Sequence, residues 1–283
     1  MSLTILTPTY NRSKELIDLF ESLKAQTNHD FIWLIIDDGS HDDTEAVINK
    51  IKNENNSFVI TYFKKSNGGK HTALNYGFTK LNTKYCMIVD SDDILKPKAV
   101  GFFISKWAEV KDDEIAAVSC LCENEKGDII GDKFSENGMC VSHLQLVFEY
   151  NVHGDKMQCY RTDVLQEYNF PVFIGEKFLT EAVVWNRIGL RYKKICFNES
   201  FLTAEYHESG LTKNINILHK KNLLGSALYH YEISMYGTLP LLTRFKHRSI
   251  SIKYMLQLFF GQIKINIPAF LMGVVIFVRN SLK

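Results

Sequence analysis

The fold is decided by the stretch YCMIVDSDD, residues 85–93, in which a short apolar run ends in three carboxylates. Residues 85–89 have the length and composition of a buried strand. Three carboxylates gathered after a buried strand repel one another and are costly unless a cation is present. In an extended segment Asp90 and Asp92 point to one side and could share a ligand, which leaves Asp93 to cap the following turn. For this cluster alone, the alternative is an acidic loop that caps a helix.

The chain before this stretch alternates strand and helix signals, the pattern of a parallel sheet covered by helices. The expected strands are 3–7, 31–36 and 58–63, and the expected helices are 13–26, 42–53 and 70–81. Asn11 or Ser13 is the expected N-cap of the first helix. Polar side chains follow each strand, and open α/β sheets bind ligands beyond the carboxyl ends of their strands. The sequence therefore predicts a ligand site at that edge.

Two further motifs fall at the same predicted edge. The turn Asp37–Ser40, DDGS, carries carboxylates that can accept hydrogen bonds from a base or a ribose hydroxyl. The loop Asn67–Lys70, NGGK, allows close backbone approach and presents a cation at a helix N-terminus, which favours phosphate. Neither Walker spacing nor a GxGxxG fingerprint is present. Because clustered carboxylates suit Mg²⁺ or Mn²⁺, the motifs predict a metal-assisted nucleotide site.

Jointly, these residues resemble the family 2 glycosyltransferases of GT-A fold. The motifs that carry the resemblance are Thr7–Arg12 (TPTYNR), Ile36–Ser40 (IDDGS), Asn67–Lys70 with Ala73 and Asn75–Gly77, and the DxD-type Asp90–Asp93. The resemblance covers about residues 1–100. It implies an α/β, Rossmann-like fold of GT-A type, with a mixed, mostly parallel sheet flanked by helices.

The resemblance also implies an activity and its participants. The expected enzyme is an inverting, hexosyltransferase-type glycosyltransferase that uses Mn²⁺ or Mg²⁺. Its donor would be a nucleotide-diphosphate sugar, usually a UDP-sugar, and its acceptor a saccharide or lipid-linked glycan in surface polysaccharide or glycan assembly. Nucleotidyl transfer and a catalytically silent, membrane-recruited assembly module of the same fold are the alternatives.

The resemblance assigns roles to individual residues. The implied donor contacts are Pro8, Tyr10 and Arg12 in the base pocket, Asp38 or else Asp37 at the base edge, Asn67 and Lys70 near the base, ribose or diphosphate, and Asp90 at the ribose. Ser91 is also expected to contact the donor nucleotide. The implied metal contacts are Asp92, Asp93 and His207. Taken by itself, His207 could equally be structural or merely exposed.

The second half of the chain resembles the family less clearly. Family members often carry a Glu-Asp pair with the catalytic base where this chain has Glu181 and Ala182. That departure leaves Glu181 as the candidate base, with Glu176 behind it. The base of an inverting transfer removes the acceptor proton as the acceptor oxygen attacks the anomeric carbon. A carboxylate at a helix start can also serve only the helix dipole.

Charge is unevenly distributed along the 283 residues. No Asp or Glu follows Glu232, whereas seven of the 33 Lys and Arg residues do. From Arg244 onward these cations alternate with apolar residues, and the apolar run 267–278 is too short to span a bilayer as a helix. A basic amphipathic helix on anionic lipid is one interpretation, and a helical cap or a dimer surface is the other.

These features predict the domain organisation and the compartment. We expect a catalytic domain at 1–214, with a nucleotide-sugar half at about 1–100 and an acceptor half at about 101–214, and a helical extension at 215–283. The six cysteines lack CxxC spacing, and the chain starts without a basic-then-apolar leader, so reduced thiols and a cytoplasmic protein are expected. The tail would add peripheral contact with the inner membrane face. The net acidic catalytic part argues against nucleic acid as a partner.

Overall fold

The computed structural model describes residues 2–54, 57–204 and 215–261. The chain divides into two compact units, which are described separately below. The first unit comprises Met1–Phe170 with Val184–Glu208, and the second comprises Pro171–Val183 with Ser209–Lys283. Residues 171–183 group with the C-terminal helices in this division, and the domain boundary expected at residue 214 stays a prediction.

The strands of the first unit are β1 (Leu3–Thr9), β2 (Phe31–Asp37), β3 (Val59–Lys64), β4 (Tyr85–Ile88), β5 (Asp93–Leu95), β6 (Ile115–Glu123), β7 (Met139–Ser142), β8 (Lys156–Arg161) and β9 (Lys193–Ala204). Its helices are α1 (Glu15–Lys24), α2 (Thr44–Glu54), α3 (Lys70–Phe78), α4 (Ala99–Glu109), α5 (His143–Phe148) and α6 (Thr162–Glu167). Helix α7 (Ala182–Gly189) starts in the second unit and ends in the first. The described helices of the second unit alone are α8 (Ile215–Lys221), α9 (Leu223–Met235) and α10 (Leu241–Phe260).

The described strands form one mixed sheet in the order β3-β2-β1-β4-β8-β6-β9-β5, with β7 also paired to β9. Strands β3, β2, β1 and β4 are parallel, and β8 pairs antiparallel with both β4 and β6. Alternate residues of β1 face opposite sides of the sheet: Leu3 and Ile5 pack with α1 residues in the main core, whereas Leu6 meets α3 at Gly77. The predicted sheet flanked by helices is confirmed.

Strand β1 is longer than expected because it continues through Pro8. Pro8 has no amide hydrogen, which normally excludes proline from a central strand. The pairing of β1 with β4 stops at Leu6, and the Leu6 carbonyl accepts from Val89 N at 3.0 Å. Pro8 has the same parity as Leu6, so its missing donor faces the side where β4 has already ended. The proline therefore marks the point where β1 and β4 part.

The expected N-cap of α1 is wrong. Helix α1 starts at Glu15, and its N-cap, Lys14, makes no side-chain capping hydrogen bond. Asn11 instead has a left-handed φ of 51°. The backbone amide of Asn11 donates to Ser40 Oγ at 2.9 Å, and the side-chain Oδ1 of Asn11 accepts from His41 N at 2.8 Å. Asn11 is thus used to tie the end of β1 to the turn after β2.

Several elements have no counterpart in the sequence-based expectation. The segment at 93 was expected to be a turn, yet Asp93 opens β5 and pairs with Ala204 of β9. Strand β9 carries polar residues in its middle, and its pairing with β6 shifts register on both sides of Leu121. Such irregular strands lack the alternation on which recognition of a strand depends.

Gly77 allows α3 to lie against the sheet, which predicts a stability effect. A Cβ at Gly77 would lie 2.6 Å from Leu6 Cδ1, an atom of a fully buried side chain. Gly77→Ala is expected to lower the free energy of unfolding by about 1–3 kcal/mol through overpacking. Gly101→Ala in α4 is the matched control, because a Cβ there would lie 3.7 Å from Asn28 Cβ, an ordinary contact distance. Urea denaturation should show a lower midpoint for Gly77→Ala only; equal midpoints would contradict this packing.

Candidate active site

The candidate site lies where the order of strands changes direction. Strands β2 and β3 extend the sheet on one side of β1, and β4 lies on the other side. The loop after β1 carries Tyr10 and Arg12, and the loop after β4 carries Asp90 and Asp92. Such a switch point, at the carboxyl ends of parallel strands, forms the usual ligand crevice of an open α/β sheet.

Two ion pairs join the motifs across this crevice. Lys70 Nζ, in the first turn of α3, lies 2.6 Å from Asp90 Oδ2. Arg12 Nη1 lies 3.2 Å from Asp92 Oδ2 and also 3.2 Å from Glu15 Oε1. The structure therefore brings together residues that the sequence assigned to three separate motifs. Arg12, expected in the base pocket, contacts a carboxylate expected at the metal.

The acidic cluster retains excess repulsion despite these cations. Burial and the charge of Asp90 raise the pKa of Asp92, and the nearby Arg12 offsets this only in part. Burial, followed by the charges of Asp90 and Asp92, raises the pKa of Asp93 well above its ordinary value. A group that titrates high in the folded protein is costly to keep ionised at neutral pH. The cluster is therefore poised to accept further positive charge.

The residues present fit a divalent cation in charge and donor type. Asp90 Oδ1 is buried and finds no hydrogen-bond donor among the described residues. Within that part of the chain, no three His, Cys, Asp or Glu side chains are grouped so that they could hold a metal ion. Mg²⁺ is often bound by one or two carboxylates, with substrate phosphates and water completing the shell. His207, the third metal ligand expected from the sequence, lies outside the described residues.

The carboxylate of Asp38 is the centre of the loop that follows β3. Its Oδ1 accepts from Lys65 Nζ at 2.6 Å and from Gly68 N at 3.0 Å. Its Oδ2 accepts from Gly69 N at 2.6 Å and from Asn67 Nδ2 at 3.1 Å. Asp38 is nearly inaccessible in this arrangement. Its contact with a nucleobase stays a prediction, and its observed partners are the backbone and side chains of residues 65–69.

Asp37, the alternative for the base edge, is fully buried. Its carboxylate accepts from Ser40 N at 2.7 Å and from the Tyr62 hydroxyl at 2.8 Å. Burial and this hydrogen bond raise the pKa of Tyr62. Asp37 therefore shapes the turn that presents Asp38.

The remaining donor contacts expected from the sequence differ in accessibility. Tyr10 is 43% exposed, so its ring is available to stack on a base. Pro8, within β1, and Ser91, in the loop after β4, are buried. The structure leaves Tyr10 as the accessible member of this set.

Two residues of this site were missed in the sequence. Lys65 neutralises Asp38, and His71 is buried, with Nδ1 unpartnered among the described residues. Burial lowers the pKa of His71, which keeps its ring neutral. Lys65 could have been found from strand pairing, because β3 runs parallel to β2 and places Lys64 opposite Asp37.

Glu176 and Glu181 belong to the second unit, and Glu176 has a structural role there. Its two carboxylate oxygens accept from Leu224 N at 2.7 Å and from Gly225 N at 2.8 Å. Glu176 thus caps the N-terminus of α9, where a negative charge is favourable. Glu181 directly precedes α7. Its role as a base stays a prediction.

Residues 4–166 match the family described as Glycosyl transferase family 2. The chain belongs to this family. The matched range contains β1 from Thr4 onward, β2, β3, β4 and all the motifs of the crevice, so the resemblance expected from the sequence is confirmed.

Curated relatives of this chain match it over only part of its length. An uncharacterized glycosyltransferase of Mycoplasma genitalium is 35% identical over 113 residues, which cover 38% of each protein. A poly-beta-1,6-N-acetyl-D-glucosamine synthase of Staphylococcus aureus is 33% identical over 117 residues, or 41% of this chain and 27% of the synthase. The chain thus spans well under half the length of these two relatives.

Solved structures share the fold at low identity. S. aureus TarS 1-349 in complex with UDP-GlcNAc superposes with a TM-score of 0.65 at 18% identity, covering 91% of this chain and 73% of that one. A mannosyltransferase of Pyrobaculum calidifontis, in complex with GDP-Man and Mn²⁺, gives a TM-score of 0.60 at 15% identity, covering 97% and 79%. These likenesses confirm the fold.

The repulsion within the acidic cluster predicts that a neutral residue at position 93 stabilises the metal-free protein. Because the folded state raises the pKa of Asp93, ionisation costs stability as the pH rises above the unfolded value of 3.8. Asp93→Asn removes that cost and should raise the melting temperature at pH 7 by about 2–4 °C, the shift for about 1 kcal/mol.

The matched control for this variant is Asp163→Asn. The hydrogen bond from Arg161 lowers the pKa of Asp163, so removal of that charge should leave the melting temperature unchanged or slightly lower. Calorimetry without metal measures both variants. A lower melting temperature for Asp93→Asn would contradict the account of the cluster.

Proposed function

We propose that this glycosyltransferase moves a hexosyl group, with inversion, from a UDP-sugar to a saccharide or lipid-linked acceptor in surface polysaccharide or glycan assembly. The observation that carries the proposal is the pairing of Lys70 with Asp90 and of Arg12 with Asp92 at the switch point. A nucleotide sugar offers phosphates to the cations and ribose hydroxyls to the carboxylates. The cations and the carboxylates of the site thus both match chemical groups of a nucleotide-sugar donor.

The choice of donor draws support from the relatives. One is named for N-acetylglucosamine polymer synthesis, and the TarS structure holds UDP-GlcNAc. UDP-N-acetylglucosamine is therefore the first donor to test. The mannosyltransferase with GDP-Man makes GDP-mannose the second.

Donor binding would exchange partners within the crevice. The diphosphate would compete with Asp90 for Lys70, and the freed carboxylate would accept a ribose hydroxyl. Tyr10 would stack on the base. Asp92 and Asp93 would hold Mn²⁺ or Mg²⁺, which when bound neutralises charge on the diphosphate and on the departing nucleotide. The loop fixed by Asp38 would keep Lys70 at the start of α3 throughout.

The transfer step needs a base at the acceptor. We assign this role to Glu181, which would take the acceptor proton as the acceptor oxygen bonds to the anomeric carbon. The bond between that carbon and the diphosphate oxygen breaks on the opposite face, and the nucleoside diphosphate leaves. Pyrophosphate release from a nucleoside triphosphate would instead indicate nucleotidyl transfer.

The metal assignment predicts coupled binding of ion and nucleotide. UDP with Mn²⁺ should raise the melting temperature of the unmodified chain, and the shift should be larger the more tightly the protein binds UDP and Mn²⁺. Asp92→Ala should abolish the Mn²⁺-dependent part of that shift, because it removes a carboxylate from the cluster. Asp163→Ala is the matched control and should keep the full shift. An unchanged shift in Asp92→Ala would exclude Asp92 from the metal site.

The two candidate bases predict opposite phenotypes. Glu181→Gln should keep UDP binding and lose at least about 100-fold in nucleotide release coupled to transfer, the usual contribution of a general base. Glu176→Gln should lower the melting temperature, because an N-cap contributes about 1 kcal/mol, and retain transfer. Calorimetry and a nucleotide-release assay separate the variants. Full transfer by Glu181→Gln would rule out its role as the base.

A further inference from the structure

Helix α10 carries an apolar surface on a basic helix. The side chains of Leu241, Phe245, Ile252, Met255 and Phe259 are spaced by four, seven, three and four residues, which places them on one helical face. Each is between 37% and 72% exposed. We call these five side chains the α10 stripe.

The stripe lies beside the face of α10 that packs against α9. Ser251 Oγ donates to Ala227 O of α9 at 2.9 Å, and His247 Nδ1 lies 2.9 Å from His230 Nδ1. On a helical projection these two α10 residues lie roughly a quarter turn or more from the centre of the stripe. The packing of α10 against α9 therefore leaves the α10 stripe uncovered.

The charges around the stripe are of one sign. The basic residues of α10 are Arg244, Lys246, Arg248 and Lys253, and the helix contains no acidic residue. Within 215–261 the sequence has one acidic residue, Glu232, whose carboxylate accepts from the Tyr236 hydroxyl at 3.4 Å. The three charged residues after 261 are also basic.

The neighbouring surface of α9 extends the same character. Tyr231 and Met235 are both exposed, and the Arg248 guanidinium lies over the Tyr231 ring at 4.7 Å. An exposed aromatic ring next to a cation suits the boundary between headgroups and acyl chains.

We propose that the α10 stripe is a docking surface for an anionic lipid bilayer, with the helix lying in the membrane plane. Within the described residues no helix is both long and apolar enough to cross a membrane, so α10 would lie on the bilayer and not span it. The stripe enters the acyl boundary, and Arg244 and Arg248, the cations of α10 that project nearest to the stripe, meet lipid phosphates. This inference rests on the proposed function, since a bilayer surface is where a lipid-linked acceptor would be met.

Flotation of the full chain with vesicles tests the proposal. The protein should float with vesicles of equal parts phosphatidylcholine and phosphatidylglycerol and should not float with phosphatidylcholine alone. Arg244→Gln with Arg248→Gln should weaken binding by about 10- to 25-fold, at about fivefold per charge. Lys50→Gln with Lys52→Gln, on the exposed side of α2, should leave binding unchanged.

The apolar part of the surface is tested separately. A triple variant, Phe245→Ser with Ile252→Ser and Phe259→Ser, should reduce binding to anionic vesicles by on the order of 100-fold or more. Circular dichroism and UDP binding report that the triple variant is folded.

The matched control exchanges three exposed apolar residues outside α10. Val172→Ser with Ile174→Ser and Leu190→Ser removes comparable exposed surface and should leave flotation unchanged. Equal flotation of the stripe variant and this control would overturn the proposal.

The same protein variants distinguish a lipid bilayer from a second copy of this chain as the partner that covers the α10 stripe. No flotation, together with a concentration-dependent dimer that the stripe variant abolishes in light scattering, would overturn the proposal in favour of a second copy of this chain. Failure of the proposed function would be visible as absent nucleotide release, whereas failure of this inference would leave nucleotide release to soluble acceptors intact and remove only lipid binding.

Discussion

The buried carboxylate of Asp38 is the interaction on which the site depends. A carboxylate taken out of water is unstable unless charge and hydrogen bonds replace its solvation. Here Lys65 supplies the charge, and the amides of Gly68 and Gly69 supply directional donors. Because the carboxylate sits at the end of β2 and its donors follow β3, one interaction fixes the ends of two strands and the start of α3.

Gly39 and Gly68 allow the turn after β2 to lie close to the loop after β3. Gly39 has a left-handed φ of 82°, and a Cβ there would come within 2.9 Å of Asn67 N. Gly68 leaves room for the Thr72 hydroxyl, which would be 2.6 Å from a Cβ. Thr72 Oγ1 in turn accepts from Lys65 Nζ at 2.8 Å. The DDGS and NGGK motifs are thus one structural unit, and that unit positions Lys70 against Asp90.

The acidic cluster after β4 has the opposite character, because its charges are only partly compensated. Such a conflict lowers stability and is typical of a site that awaits a ligand. The Asp38 loop has its partners within the protein, whereas Asp90 keeps an unpartnered oxygen among the described residues. Rigid support next to unsatisfied charge is the arrangement that favours binding of a metal and a diphosphate.

The sequence was sufficient for the elements whose signals are local. The first four strands and the clustering of motifs at one sheet edge followed from apolar runs and polar strand ends. The irregular β9 did not, because its pairing is interrupted, and neither did the partners of Asp38, which come from a loop about thirty residues later. The grouping of 171–183 with the C-terminal helices was also hidden, since it depends on contacts such as Glu176 with α9.

The affinity of the Asp38→Asn variant for UDP in the presence of Mn²⁺ tests the central claim most directly. Asparagine keeps the shape of the side chain but loses the charge that pairs with Lys65 and one of the acceptor oxygens. Titration calorimetry should show a dissociation constant at least about tenfold higher than that of the unmodified chain, a loss of about 1.4 kcal/mol, in a protein that remains folded. An unchanged dissociation constant would contradict the account, because the donor site would then not depend on the loop that Asp38 holds.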